Sequence, residues 1–310
     1  TDKIVFIGNT FDNCNKNTIQ IEGLIAENNE IQFVDNSFIN CNKGTIINVL
    51  NLFTQKPTFI GNTFKYVSLS SLILNIKLSN SIDSIDFINN TFCSFNAISN
   101  DIGGNGIELN HESSDNAIYI SYVNCYFINN TNKQKGGSLH FDANQNNGNI
   151  HLTINECIFE QSKNEMNGGA IYINIKGDIT IQKCNFNGNS AIKGSSIYIQ
   201  SDFIDFTEQS NIQMSESYFN KNGANECSSI FISQGSSKTI SIDSCIFEDE
   251  TCDVIIDDFN NKIDINNNQF IRTSDNSALI LTQKQDLKNE ISIDFCLFDS
   301  CFGPLNKCFN

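Results

Sequence analysis

The chain has no tryptophan, two prolines and a single arginine, Arg272, among its 310 residues. Scarce proline leaves room for long β-ladders, which proline interrupts. Positive charge is also short: 19 Lys and Arg stand against 35 Asp and Glu, a formal net charge of −16. Such a chain lacks the basic face that displaces counterions from nucleic acid, and it is not drawn to an anionic membrane surface. No run approaches the roughly 18 apolar residues of a membrane-spanning helix. No secretory leader is visible and the first residue is Thr1, so the sequence reads as a mature or excised segment. No Cys-x-x-Cys pair occurs among the 12 cysteines, so zinc ribbons and thioredoxin-like motifs lack their signature. That cysteine count favours an oxidising, extracellular or cell-surface setting, although buried free thiols also pack well.

What is present is a repeat. Alignment on phenylalanine gives eleven copies, at Phe11, Phe38, Phe64, Phe92, Phe127, Phe159, Phe186, Phe219, Phe247, Phe270 and Phe298. The mean interval is just under 29 residues, a solenoid period. Five places before each Phe stands a large apolar residue, such as Phe33, Tyr122 or Ile181. Seven places before stands Ile or Leu, with Pro57 the exception. Spacing of two with polar residues between is a strand with one buried face. A second strand follows, as in Leu139/Phe141, Ile171/Ile173, Ile197/Ile199 and Ile230/Ile232. Helix fails as an alternative, because β-branched residues dominate and no 3.6-residue pattern is sustained. Each copy is too short to bury its own face, so the copies must stack in parallel. The expectation is an all-β fold, one single-stranded parallel β-helix of about eleven rungs filling 1–310 as one domain.

Two places before each Phe lies Asn, Cys or Ser: Asn9, Asn36, Asn62, Asn90, Cys125, Cys157, Cys184, Ser217, Cys245, Asn268 and Cys296. This slot is read as the bend itself, where Asn accepts left-handed geometry, and as an asparagine ladder. Cys125, Cys157 and Cys184 fill it in three consecutive rungs, a column of stacked thiols; bonding within that column stays an alternative, because one-rung spacing suits a disulfide. Further pairings open to disulfides are Cys14 with Cys41, Cys227 with Cys252, and Cys301 with Cys308.

Four places before the Phe the first five rungs carry Ile7, Val34, Ile60, Ile88 and Val123, whereas later rungs carry polar residues. Either this is an exposed apolar stripe that a protein partner or a second copy covers, or the bend turns these residues into the core. The first rung begins almost at once and has no capping helix. An open end of this kind recruits other strands, so a longer chain, another copy or a partner is expected there. Two N-glycosylation triplets start at Asn89 and Asn129; both adjoin the bend, and a packed, structural role is favoured there.

Enzymatic candidates are sparse. A polysaccharide lyase wants a basic residue beside acidic cation ligands, and Arg272 is the one arginine. A hydrolase wants paired carboxylates. The densest acidic group is Asp253, Asp257 and Asp258, flanked by Asp243 and Asp264; a solvated acidic face is favoured over a calcium site. His111, His140 and His151 occupy unlike positions in their rungs. No cofactor is expected.

Gly168-Gly169-Ala170-Ile171 and Gly136-Gly137-Ser138-Leu139 resemble the GGA-aliphatic motif of the chlamydial polymorphic outer-membrane protein repeat. Phe127-Ile128-Asn129-Asn130, Phe186-Asn187-Gly188-Asn189 and Phe219-Asn220-Lys221-Asn222 resemble its F-x-x-N motif. The resemblance covers about Ile4 to Phe298 and implies a right-handed parallel β-helix on a cell surface, acting as an adhesin. The chain has no C-terminal stretch for that family's membrane barrel. Abundant Asn, Ile, Lys and Phe point to an A+T-rich genome, such as a protist's. The favoured function is a noncatalytic extracellular scaffold or adhesin, a component of a surface assembly or filament. The alternative is a carbohydrate-active enzyme or a glycan-binding module.

Overall fold

In a computed structural model the chain is an all-β parallel solenoid. The residues described are 3–14, 18–22, 30–41, 46–52, 57–67, 74–78, 84–97, 107–111, 117–133, 135–142, 150–200, 210–224, 229–233, 237–249, 253–259, 262–272, 278–283 and 290–301. Two eleven-stranded sheets run its length, and every pairing in them is parallel. Sheet 1 begins at Lys3–Ile7 and ends at Ile291–Asp294; sheet 2 begins at Thr10–Asp12 and ends at Leu297–Asp299. The third side is built in two stretches, four strands from Ile19–Glu22 to Ile107–His111 and six from Leu139–Asp142 to Leu279–Gln283. A narrow five-stranded sheet from Asn96–Ala97 to Gly223–Ala224 lines the corner between the second and third sides. At about 4.8 Å per coil the eleven coils make a rod on the order of 50 Å long.

Like stacks on like. All eleven aligned phenylalanines lie face to face in one file, with successive ring centroids 4.6–5.1 Å apart. A second file, Phe6–Phe33–Phe59–Phe87–Tyr122, stacks at 4.6–5.0 Å before giving way to aliphatic side chains. Nine of the eleven aligned phenylalanines are fully buried, the exceptions being Phe11 and Phe298 at the two ends. Burying one such ring is worth roughly 1.5–3 kcal/mol.

The corners differ from the sequence reading by one residue. The residue three places before each Phe takes the left-handed conformation in all eleven coils, from Gly8 (φ 65) and Asp35 (φ 53) to Asn267 (φ 56) and Phe295 (φ 55). So does the residue two places after it, from Asn13 (φ 56) to Ser300 (φ 55). The slot two places before the Phe is therefore not the bend; it is the buried residue just inside it.

That slot repairs the hydrogen bonds that the bend interrupts. Asn36, Asn62 and Asn90 each donate through Nδ2 to the carbonyl of Phe6, Phe33 and Phe59 in the preceding coil, at 2.8–2.9 Å. Each also accepts, through Oδ1, the backbone N–H of Asn9, Asn36 or Asn62 at 2.9–3.0 Å. From coil five a thiol takes over: Cys125, Cys157 and Cys184 donate to Phe87, Tyr122 and Ile154 at 3.4–3.5 Å. The second corner repeats the scheme, with Asn189 and Asn222 donating to Phe159 and Phe186 at 3.0 Å.

The glycine pairs make the third corner close enough to stack. A Cβ on Gly137 would fall 2.0 Å from the Gly169 carbonyl, and one on Gly169 would fall 2.0 Å from that of Ser195.

Asn62 tests the ladder. Asn62→Ala strands the Phe33 carbonyl and the Asn36 N–H in the interior and should cost about 2–6 kcal/mol in chemical denaturation, at 1–3 kcal/mol per orphaned group. Asn62→Cys, which keeps a donor of the kind found in coils five to seven, should lose clearly less; equal losses would discard the ladder account.

Candidate functional site

The acidic group does not converge. Asp253 is buried at the start of the strand Val254–Phe259, while Asp257 is half-exposed four residues further along it. An extended strand separates them by about 13 Å at ~3.3 Å per residue, and the side chain of Asp258 lies outside those described. Asp243 and Asp264 have partners of their own: Asn267 donates to Asp243 at 2.9 Å, and Lys262 pairs with Asp264 at 3.1 Å, which raises the lysine pKa. Among the described residues no group of three or more His, Cys, Asp and Glu could hold a metal ion.

Arg272 is held by carboxylates. Its Nη2 donates to Glu248, its Nε lies 3.1 Å from an Asp249 oxygen, and Glu248 also accepts the hydroxyl of Tyr218. The tyrosine hydroxyl, bonded to that carboxylate, is pushed up to about 12, and the Glu248 carboxyl is pulled down by Tyr218 first and Arg272 next. A neutralised guanidinium on an outer face is a poor proton acceptor.

The histidines stand on three different sheets, His111 in the four-stranded stretch, His140 in the six-stranded one and His151 in sheet 1; the His111 side chain lies outside those described. His151 stacks on Tyr119 at 4.8 Å and pairs with Asp178 at 3.2 Å, while Asn211 donates to that carboxylate at 2.9 Å.

One shallow groove of about 470 Å³ opens at the second corner, lined by Asn129, Thr131, Gln161, Lys163 and Gly188. It exists because Gly188 contributes no side chain to a column filled by Asn129 and Gln161 in the coils before.

The apolar stripe faces outward. Ile7, Val34, Ile60, Ile88 and Val123 are in register in adjacent strands of sheet 1. Ile7 is 64% exposed, and the other four are half-buried by one another rather than by the core. The bend does not turn them inward, because the chain reaches its left-handed residue only at the next position. In the last coil Phe298 is 48% exposed and Phe295 89%.

The expectation of a packed acceptor asparagine fails in both glycosylation triplets. Asn89 (φ 56) and Asn129 (φ 54) are the left-handed corner residues and are exposed. The asparagines that pack are their neighbours, Asn90 and Asn130, each fully buried.

The disulfide alternatives are not realised where they are described. Cys14, Cys41, Cys125, Cys157 and Cys184 are free thiols. Cys227, Cys252 and Cys308 lie outside the described residues; Cys301 donates to the Phe270 carbonyl at 3.4 Å. Burial pushes the Cys125 and Cys157 thiols well up, that of Cys245 to about 12 and that of Cys41 to about 11, with Cys14 beside the last.

Sequence reasoning missed a feature of the third side. Tyr172, Tyr198 and Phe231 point away from the main core, yet stack at 5.6 and 5.2 Å and are nearly buried, with Ile255 against them. Lys135 donates to the Tyr172 hydroxyl at 2.7 Å, and that hydroxyl donates to Gln200. The signal was there: Ile-Tyr-Ile, Ile-Tyr-Ile and Ile-Phe-Ile have no polar residue in the middle, as in a strand buried on both faces.

No family model, curated protein or solved structure matches the chain. The solenoid fold is shown by the stacked parallel sheets themselves, and the resemblance to the polymorphic outer-membrane protein repeat is carried by its motif residues alone.

Two outcomes test these burials. The Tyr122 hydroxyl is fully buried with no hydrogen-bond partner among the described residues, so Tyr122→Phe should raise stability by about 1 kcal/mol or more; a loss would disprove that isolation. For the raised thiols the unfolded chain releases its protons first, near the ordinary thiol value of 9, while folded Cys245 holds its own to about 12. Stability is thus fully present below pH 9 and falls between about 9 and 12, by ~1.4 kcal/mol per pH unit for each such thiol. Denaturation midpoints measured from pH 8 to 11 should show this fall, and Cys245→Ser should make it shallower by one thiol's share, ~1.4 kcal/mol per pH unit.

Proposed function

We propose that the chain is a noncatalytic scaffold or adhesin displayed outside the cell, which meets a protein partner or a second copy of itself along the stripe Ile7–Val34–Ile60–Ile88–Val123. The observation that carries this reading is the stripe: five apolar side chains in register on an outer sheet face, flanked by the polar corner residues Asp35, Asn89 and Asn124. Contiguous apolar surface of this kind marks association sites on soluble proteins. The half-exposed ring of Phe298 offers a further contact surface, at the end of the rod. The net charge of −16 directs the choice toward protein partners and away from nucleic acid.

The distribution of reactive groups supports a noncatalytic role. Thiols and amides inside the corners serve the stacking of coils, and Arg272 is spent on Glu248 and Asp249. The carbohydrate-active alternative has less support: the groove at Asn129 and Lys163 is lined by no carboxylate pair. An extracellular setting accords with the cysteine-rich composition, and the thiols of Cys41, Cys125, Cys157 and Cys245, buried and hard to ionise, would survive there without pairing.

Replacing Ile60 and Ile88 together by Asp decides the matter. The double variant should fold with an unchanged β-type circular dichroism spectrum and lose the self-association or partner capture seen by sedimentation with the parent chain. Unfolding of the variant, or a parent chain that stays monomeric and captures nothing from its own cell surface, would sink the reading.

A further inference from the structure

Only two Asn-x-Ser/Thr triplets occur in the chain, Asn89-Asn90-Thr91 and Asn129-Asn130-Thr131, and they fall in consecutive coils. They occupy different corners: Asn89 lies between sheets 1 and 2, and Asn129 lies between sheet 2 and the narrow sheet beyond it. In both the left-handed backbone turns the first asparagine outward and the second inward, where it joins a ladder. Asn90 donates to the Phe59 carbonyl, and Asn130 to the Phe92 carbonyl at 3.3 Å. A sugar on either ladder residue would have to enter the core. A sugar on Asn89 or Asn129 would not.

The polar atoms are disposed accordingly. Among the described residues Asn89 uses only its Oδ1, which accepts from Asn124 Nδ2 at 2.9 Å. A glycosylated amide keeps that oxygen, so the contact survives. Asn129 and Thr131 are both exposed, and together they line the groove that opens where Gly188 has no side chain. In the direction of the C-terminus Gln161 and Lys163 come next, and the groove opens at Gly188, one coil beyond them.

We propose that Asn129 and Asn89 are acceptors for N-linked glycan. The donor class is an oligosaccharide carried on a polyprenyl diphosphate. Nδ2 forms a bond to C1 of the first sugar, the bond from C1 to the diphosphate oxygen breaks, the lipid diphosphate leaves and Nδ2 gives up one proton. The proposal rests on the extracellular reading, because transfer takes place in the secretory lumen. It also limits that reading. Asn89 directly follows Ile88, so a glycan there excludes a flat partner from the far end of the stripe and confines docking to Ile7, Val34 and Ile60.

The test is translation of the full chain, behind a cleavable leader, into eukaryotic microsomes, with the protease-protected fraction compared before and after peptide-N-glycosidase. The parent chain should carry two enzyme-removable mass increments. N89Q, T91A, N129Q and T131A should each carry one, and N89Q/N129Q none. The glycosylated chain should melt within a few degrees of the enzyme-treated one. A protected chain of unshifted mass overturns the proposal, and so does a glycosylated chain that has lost its β-type spectrum, since the acceptors would then belong inside. Fractionation of the source cells tests the extracellular reading separately, so either can fail without the other.

Discussion

A chain that turns sharply twice in every coil must do something with the backbone groups that the turns pull out of the sheets. Left buried and unpaired, each costs about 1–3 kcal/mol, and the solenoid has two such corners in each of eleven coils. At many of these corners the side chain just inside supplies the missing partner to the coil before it, as Asn62 does for Phe33 and Asn189 for Phe159. The aromatic files supply attraction along the whole rod, but it is this exchange that permits the chain to bend where it does. It also explains why the slot at the first corner holds only Asn, Cys and Ser, short side chains with a donor to offer, whereas at the second corner Val67 and Phe95 fill it in two coils and pack into the core instead.

Much of this was legible in the amino-acid order, because a period near 29 residues combined with a spacing of two leaves few folds to choose from. Phe33, Ile154 and Phe159 declared their burial by alternation alone. The corners were misplaced by one residue for a physical reason. Asn is common both in left-handed bends and in buried hydrogen-bonding slots, so Asn89-Asn90 can be read either way round. At Glu156, Lys183 and Glu216 no small residue marks the bend at all, and composition had nothing to offer. The outward aromatic stack of Tyr172, Tyr198 and Phe231 was visible as apolar runs, but the eye follows the flanking isoleucines that complete the inner files.

The candidate sites were less legible, because a site depends on which coil faces which. Asp253 and Asp257 are close in sequence and far apart along a strand. Tyr218, Glu248 and Arg272 lie in three consecutive coils, 54 positions apart from first to last, and meet because stacking at one-coil spacing brings neighbouring columns together. Chemistry in a solenoid is written down the columns, and a linear reading sees only the rows.

The left-handed corners carry one more consequence. Their side chains point to solvent, so the interior exerts no choice over them, and they range from Gly8 and Asn124 to Lys183, Arg272 and Phe295. The rod therefore bears two parallel rails of positions, evenly spaced along its edges, where evolution can rewrite the surface without renegotiating the fold. Whatever such a molecule must greet or avoid, those rails are where it can learn to do so.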